Sequence, residues 1–332
     1  MVDIAALTEY LRGRVPEIRG PIAVEPFSGG QSKPTFRLRA DGRSYVLRKQ
    51  PDGELLPSAH AVDREYRVIT ALGSTEVPVP RTYAYCDDRG VIGTPFFVME
   101  FADGRHFWDP ALPELDATNR AALWDDINSV IARLHNVDYA AIGLGDYGKP
   151  GNYFERQIGR WSKQYRASET EKIDSMDRLI EWLPRNIIAD DASSIVHGDF
   201  RLDNLIVHPV EPRVIAVLDW ELSTLGHPLA DLGFNAMAWE TRPDEYGGLR
   251  GLDLVDLGIP SLHDYIATYL AASGRRDAIA PFHVAFALFR FAVIFEGIAA
   301  RAAAGNAASD DAADAGKLGP AFARRAVEIA GA

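Results

Sequence analysis

Three residues in the second half of the chain have the types and spacing to move a phosphoryl group. They are Asp199 and Asn204 in Val196-His197-Gly198-Asp199-Phe200-Arg201-Leu202-Asp203-Asn204, and Asp219 in Val217-Leu218-Asp219-Trp220-Glu221. Asp199 and Asn204 stand five apart, the interval at which a loop Asp accepts a hydroxyl proton while an Asn reaches back to magnesium. Gly198 replaces the Arg that such a loop usually carries. Asp219 offers a second hard oxygen from another segment, and magnesium in a nucleotide site takes one or two such oxygens, leaving its other positions to water and phosphate. A lone Asp there would read as a strand-end cap. Three polar residues at these offsets, each after an apolar run, read as a catalytic set, with Asn204 and Asp219 as the ligands of Mg2+.

The flanking segments must bring these residues together. Between Asn204 and Asp219 lie two β-type runs, Leu205-Ile206-Val207 and Val214-Ile215-Ala216-Val217-Leu218. His208-Pro209-Val210-Glu211-Pro212 separates them, and its prolines mark a turn. A hairpin there returns Asp219 to the side of Asn204. His197 and His208 offer a rival reading as metal ligands beside Asp199, but no His-x-x-x-His or His–carboxylate spacing accompanies them. His197 is better read as a packed residue that shapes the loop. Asp231, in Gly226-His227-Pro228-Leu229-Ala230-Asp231, falls at an expected helix start, where Pro228 suits the first turn and Asp231 the positive end of the dipole.

Upstream lies a second set suited to a triphosphate. Pro26-Phe27-Ser28-Gly29-Gly30-Gln31-Ser32-Lys33-Pro34-Thr35 lies between β-rich runs. Its Gly29, Gly30, Gln31 and Ser32 would let the backbone approach phosphates without Cβ interference, although Gly-Gly with Ser is also ordinary hairpin chemistry. In Ser44-Tyr45-Val46-Leu47-Arg48-Lys49, alternation sets Val46 and Arg48 on one face and Leu47 and Lys49 on the other. The V-A-I-K strand of protein kinases carries a small apolar residue and its Lys two apart on the face toward ATP, so Arg48 is the positional match and Lys49 its competitor. An Arg there replaces a point charge by a fork that can hold a phosphate bidentately. A partner carboxylate belongs on the helix expected over 58–72, where Val62, Tyr66, Ile69 and Leu72 form the apolar stripe. Glu65 lies beside that stripe and is the candidate, ahead of Asp63 and Glu54. Pro95-Phe96-Phe97-Val98-Met99-Glu100-Phe101 reads as a buried strand that stops at Ala102-Asp103-Gly104, a lobe boundary.

With these motifs in place, the chain resembles the aminoglycoside phosphotransferase superfamily, small-molecule kinases with a protein-kinase-like fold, from about residue 27 to its C-terminal helices. Within it, the run Leu218-Asp219-Trp220-Glu221-Leu222-Ser223-Thr224-Leu225-Gly226-His227-Pro228 is similar to kinase-like domains fused in some proteins to acyl-CoA dehydrogenases. The resemblance implies an α+β, protein-kinase-like two-lobed fold. Residues 1–101 would form an N-terminal antiparallel sheet lobe ending at the hinge, and 102–332 a larger, mainly helical lobe for catalysis and acceptor binding. ATP would be the phosphoryl donor and a small-molecule hydroxyl the acceptor. The backbone of Glu100, Phe101 and Ala102 would face the adenine edge, and Asp231 would hold the catalytic-loop backbone. Val46, Met99 and Leu205 would sandwich the ring or serve as plain core. Acceptor specificity would lie in the helical segments 152–185 and 260–301.

Bulk properties fit a soluble cytoplasmic enzyme. A chain of 332 residues can bury two lobes, and a single cysteine, Cys86, forms no internal disulfide. A net charge of −12 argues against a nucleic-acid surface. The first fourteen residues mix acids and arginines among apolar positions, unlike a signal peptide. The longest apolar stretch, 282–300, is broken by His283, Arg290 and Glu296 and reads as a core helix rather than a membrane span. The Ala-rich segment 299–316 reads as a helix end and linker. The acceptor divides between a polycationic aminoglycoside or other small alcohol and a polyanionic hydroxyacyl-CoA, which would need local Arg or Lys. Arg290 and Arg301, eleven apart near Phe291, Ile294 and Ile298, could meet a phosphate and an apolar chain or serve as helix-surface or internal cations. The dehydrogenase-fused resemblance favours the acyl-CoA class. A nucleotide-binding scaffold without turnover is the alternative of another class.

Overall fold

The computed structural model describes residues 2–27, 34–51, 61–190, 192–276, 279–303, 316 and 318–332. The expected phosphate flap of Gly29, Gly30, Gln31 and Ser32 lies outside the described residues, as do Glu54, the first residues of the helix expected over 58–72 and most of the Ala-rich segment.

The first lobe is built on five antiparallel strands. They are β1 (Ile22–Pro26), β2 (Thr35–Ala40), β3 (Arg43–Lys49), β4 (Thr82–Cys86) and β5 (Phe96–Glu100), ordered β1-β2-β3-β5-β4. β2 turns into β3 through Asp41-Gly42, both at positive φ, the pair a two-residue hairpin turn favours. Period-2 alternation then separates the two faces of the sheet. Leu38, Tyr45, Leu47, Phe96 and Val98 pack with Leu7 and Leu11 of α1 (Ile4–Arg12). Val46, Phe97 and Met99 face the other way and join the core shared with the second lobe, which also contains Leu205. Helix α2 (Val62–Leu72) lies on that side and buries Val62, Val68, Ile69 and Leu72 together with Glu65. A single turn, α3 (Arg89–Ile92), links β4 to β5.

After β5 the chain crosses to the second lobe and is tied at once to the hairpin between Asn204 and Asp219. Arg105 exchanges backbone hydrogen bonds with Val207 at 2.7 and 2.9 Å. At the preceding Gly104, a Cβ would come within 2.3 Å of the Val207 carbonyl oxygen, so the crossing requires glycine. The long helix α4 (Ala117–Asn136) supports two small antiparallel sheets, β6 (Ser194–Val196) with β9 (Thr224–Gly226), and β7 (Leu205–Val207) with β8 (Val214–Val217). The β7–β8 pair is the expected hairpin. The β6–β9 pair was not expected, because three-residue strands are too short to show periodicity and Gly226 leads straight into a helix start.

The remaining elements are α5 (Tyr153–Ser168), α6 (Asp174–Arg185), α7 (Pro228–Glu240), α8 (Leu254–Leu257), α9 (Leu262–Ser273), α10 (Pro281–Ala303) and α11 (Gly319–Ala330). Helix α10 is long and apolar enough to cross a bilayer, yet 83% of its most apolar window is buried inside the protein. Its Phe282, Phe286, Phe289 and Val293 form a second core with α5, α6, α7 and α11.

Candidate active site

The Asp199 loop is held from beneath by Asp231, the acidic residue of the first turn of α7. Its carboxylate accepts the backbone N–H groups of His197 at 2.5 Å and Gly198 at 2.8 Å. Behind it, His135 Nε2 lies 3.4 Å from the same carboxylate, and His135 Nδ1 is 2.8 Å from the Tyr269 hydroxyl. Burial pushes His135 below the ordinary imidazole range, so a neutral ring donates to Asp231. Burial alone would raise Asp231, but this hydrogen bond and the His135 and loop contacts hold it below the usual carboxylate range. Gly198 has φ +83°, and a Cβ there would lie 2.7 Å from the Leu222 carbonyl oxygen. That geometry excludes the Arg of the protein-kinase loop.

His197 closes the loop against the next strand. Its Nε2 donates to the Leu218 carbonyl at 2.8 Å, and its Nδ1 accepts the Asp199 N–H at 3.2 Å. His208 Nδ1 accepts the N–H groups of Val210 and Glu211. His197 is thus a shaping residue and His208 a turn residue, which leaves the His-metal reading without support.

Asn204 Nδ2 donates to both the Asp199 carbonyl oxygen, at 2.8 Å, and Asp199 Oδ2, at 2.9 Å. With its nitrogen so used, the amide presents its oxygen as the group left for a cation. The Leu218 N–H donates to the Asn204 carbonyl at 2.8 Å, which brings Asp219 beside it. Asp219 adopts φ +62°, ψ +60°, a left-handed conformation costing a non-glycine residue about 1 kcal/mol or more. The strain aims its carboxylate at the sheet lobe. There Arg48 Nη2 meets Asp219 Oδ1 at 2.9 Å while Nη1 lies 2.7 Å from Glu65 Oε1. Burial opposes the charge on Arg48, and the two carboxylates more than restore it, raising its pKa. Arg48 and Glu65 therefore form the ion pair expected between them, and the bridge to Asp219 is an addition that the sequence did not indicate.

Glu100 is the last paired residue of β5, opposite Tyr45. Its N–H donates to the Arg81 carbonyl at 2.8 Å, and its carboxylate accepts the Arg81 N–H at 3.2 Å. Phe101 and Ala102 lie beyond the ladder. The Phe101 ring stacks on Phe27 at 6.2 Å, with the Arg37 guanidinium 4.5 Å from its centroid.

Arg290 does not face a ligand. It is buried, and its Nη2 donates to the Gly198 carbonyl at 2.8 Å, with its guanidinium 5.3 to 5.9 Å from the rings of Trp161, Phe234 and Phe286. It braces the catalytic loop, whereas Arg301 lies exposed in the last turn of α10. The pairing of the two around an acceptor fails because α10 is covered on all sides at Arg290 and emerges only near its end.

A cavity of about 460 Å³ opens beside the loop, walled by Trp108, Phe234, Met237, Tyr246, Phe291 and Phe322, with Arg201 and Asp203 at its polar end. Sequence reasoning passed over Arg201 and Tyr246. The position of Arg201, two residues after Asp199, was a usable signal, whereas nothing local marked Tyr246.

A sheet lobe and a helical lobe meeting at this constellation define a protein-kinase-like small-molecule phosphotransferase. Residues 23–279 match the Phosphotransferase enzyme family, and the chain belongs to it. Acyl-CoA dehydrogenase family member 10 of Mus musculus is 44% identical over 334 residues, covering 98% of this chain and 31% of the relative. The chain spans less than half the length of such curated relatives. The crystal structure of a candidate aminoglycoside phosphotransferase from Ralstonia eutropha is 49% identical, with a TM-score of 0.92 over 100% of this chain and 99% of that one. A thermostable mutant of aminoglycoside phosphotransferase APH(4)-Ia, solved with ADP and hygromycin B, has the same fold at 16% identity, with a TM-score of 0.60 over 97% of this chain and 98% of its own.

Proposed function

We propose that this chain transfers the γ-phosphoryl group of ATP to a hydroxyl of a small molecule. The observation that carries this is the meeting of Asp199, Asn204, Asp219, Arg48 and Glu65, drawn from separate segments of both lobes, at one place. Phosphoryl transfer asks for alignment and charge neutralisation rather than covalent chemistry. Asp199 orients the acceptor hydroxyl and takes its proton. Asn204 steadies Asp199 through its nitrogen, and its oxygen, with the Asp219 carboxylate, suits a hard divalent cation. Mg2+, when bound there, neutralises charge on the triphosphate. Arg48 grips the nontransferred phosphates with Glu65 behind it, and the backbone at Glu100, Phe101 and Ala102 meets the adenine edge. ADP in the distant APH(4)-Ia structure supports ATP as the donor.

The cavity supports an acceptor with an apolar portion. Its walls are aromatic and aliphatic, and its carboxylate Asp203 is already paired with Arg201 at 2.6 Å. A polycationic aminoglycoside would need an uncompensated acidic wall. Dehydrogenase-named relatives point the same way, toward a hydroxyacyl-CoA whose acyl-chain hydroxyl becomes a phosphate ester and hence a leaving group. The test is ADP release with magnesium-ATP over hydroxyacyl-CoA compounds, simple alcohols and kanamycin-type aminoglycosides, with the ester product identified by mass spectrometry. Stimulation by aminoglycosides alone would overturn the acyl-CoA class. No turnover with any acceptor, together with no thermal shift from magnesium and an ATP analogue, would overturn the phosphotransferase assignment.

A further inference from the structure

Arg201 plays no part in the scheme above, yet its guanidinium touches the base. Nε lies 3.4 Å from Asp199 Oδ1, Nη2 lies 2.6 Å from Asp203 Oδ2, and Nη1 donates to the Tyr246 hydroxyl at 3.1 Å. The rings of Tyr246 and Phe291 lie 5.6 and 5.8 Å from the guanidinium. Asp199 Oδ2 is meanwhile held by Asn204. The carboxylate is thus hydrogen-bonded by its own loop at one oxygen, and at the other it lies within ion-pair distance, without a hydrogen bond, of an arginine whose far end is tied to a segment 45 positions away.

Tyr246 is an unusual anchor. It has φ +89° and ψ +46°, a region that non-glycine residues occupy only where their surroundings over-determine it. Those surroundings are present. Its ring meets Phe291 and Phe295 edge-on at 5.3 and 5.2 Å, and the preceding Glu245 is paired with Arg325 of α11 at 3.1 Å. Tyr246 is also 46% exposed and borders the cavity, as does Arg201, so a molecule entering there meets the anchor and the arginine beside the base.

We propose that Tyr246 is a latch that holds the Arg201 guanidinium between Asp203 and Asp199, so that its charge beside Oδ1 keeps the Asp199 carboxylate from rotating away from its hydrogen bond with Asn204. Arg201 and Tyr246 are then positioning residues for phosphoryl transfer, an inference that rests on the phosphotransferase reading above. The side chain suits the task because its planar fork reaches Asp199, Asp203 and Tyr246 at once, which the single ammonium of Lys cannot. A misplacement of about 1 Å in such a group costs on the order of 10²-fold in rate.

The test compares Arg201→Met, Arg201→Lys, Tyr246→Phe and the Arg201→Met/Tyr246→Phe double variant. Magnesium-dependent ATP turnover is measured with a medium-chain hydroxyacyl-CoA and with water as acceptor. Arg201→Met should lower kcat about 10²-fold with KM for ATP unchanged, Arg201→Lys should recover part of that, and Tyr246→Phe should lose about tenfold. In the Arg201→Met background, Tyr246→Phe should cost nothing further. Wild-type kcat in Arg201→Met, or the same Tyr246→Phe loss in both backgrounds, would overturn the latch. Crystal structures of Arg201→Met and Tyr246→Phe decide it independently of turnover. The Asp199 carboxylate should be rotated or split between orientations, and an unchanged orientation in both would overturn it. A wild-type protein that consumes no ATP would sink the phosphotransferase reading, with the crystals still judging the latch.

Discussion

Arg48 and Asp219 stand 171 positions apart in the chain and 2.9 Å apart in space, bound through one guanidinium that also meets Glu65 at 2.7 Å. This bridge joins the strand β3, the helix α2 and the end of the catalytic hairpin. Two carboxylates on one largely buried cation make the contact strong only while both remain. In the proposed reaction, phosphates would take over part of Arg48, and the Asp219 carboxylate would turn to the metal.

Asp219→Ala should weaken binding of the magnesium-nucleotide complex, because it removes an anionic oxygen beside the triphosphate. The rise in melting temperature produced by magnesium with a nonhydrolysable ATP analogue should shrink in this variant. An undiminished rise would remove Asp219 from the metal site.

Asp199→Asn should act differently. Its Oδ2 contact with Asn204 shows that it sits in the loop rather than against Arg48. Nucleotide binding should therefore persist while turnover falls ~10²–10⁴-fold, the usual loss for a general base. Near-normal turnover would exclude it as the base.

Glu65→Gln keeps the shape of the side chain and removes its charge. Breaking a fully buried ion pair costs about 3–5 kcal/mol, and since Asp219 still faces Arg48, a loss of about 2 kcal/mol is expected. Urea unfolding should show a lower midpoint at an unchanged slope. A midpoint equal to that of the wild type would mean that the pair adds nothing to the fold.

Arg290→Met should lower both melting temperature and kcat, since Arg290 holds the Gly198 carbonyl at 2.8 Å beneath the catalytic loop. An acceptor-binding role would instead raise the acceptor KM at unchanged stability, and that outcome would restore the expectation drawn from its spacing with Arg301.

Acid should destabilise the protein before its carboxylates titrate. Burial, with His227 nearby, pushes His283 down to about 4 from the ordinary 6.5. Between those values the unfolded chain binds a proton that the folded chain refuses, so stability is present above pH 6.5 and is lost as pH falls toward 4, by up to about 3 kcal/mol. The buried His135 is lowered too and acts in the same direction. Urea midpoints across this window should fall less steeply in His283→Gln, and an equal slope would assign the effect elsewhere.

By itself the sequence determined the β7–β8 hairpin and the alternation of β3 that sets Val46 and Arg48 opposite Leu47 and Lys49, because alternation, proline punctuation and loop motifs are written within a few neighbouring residues, and the fold class followed from the family that those motifs resemble. The five-residue interval from Asp199 to Asn204 belongs to the same local code, and so does Glu65 on the flank of the α2 stripe. Only the tertiary structure decided what depends on distant surfaces meeting. It turned Arg48 rather than Lys49 toward Asp219, buried Arg290 under the loop where helical spacing had set it beside Arg301, paired β6 with β9, and carried Tyr246 to Arg201. Helical spacing gives the angle of a residue around its own axis, whereas what covers that angle depends on the packing of other elements, and no local pattern in this chain encodes it.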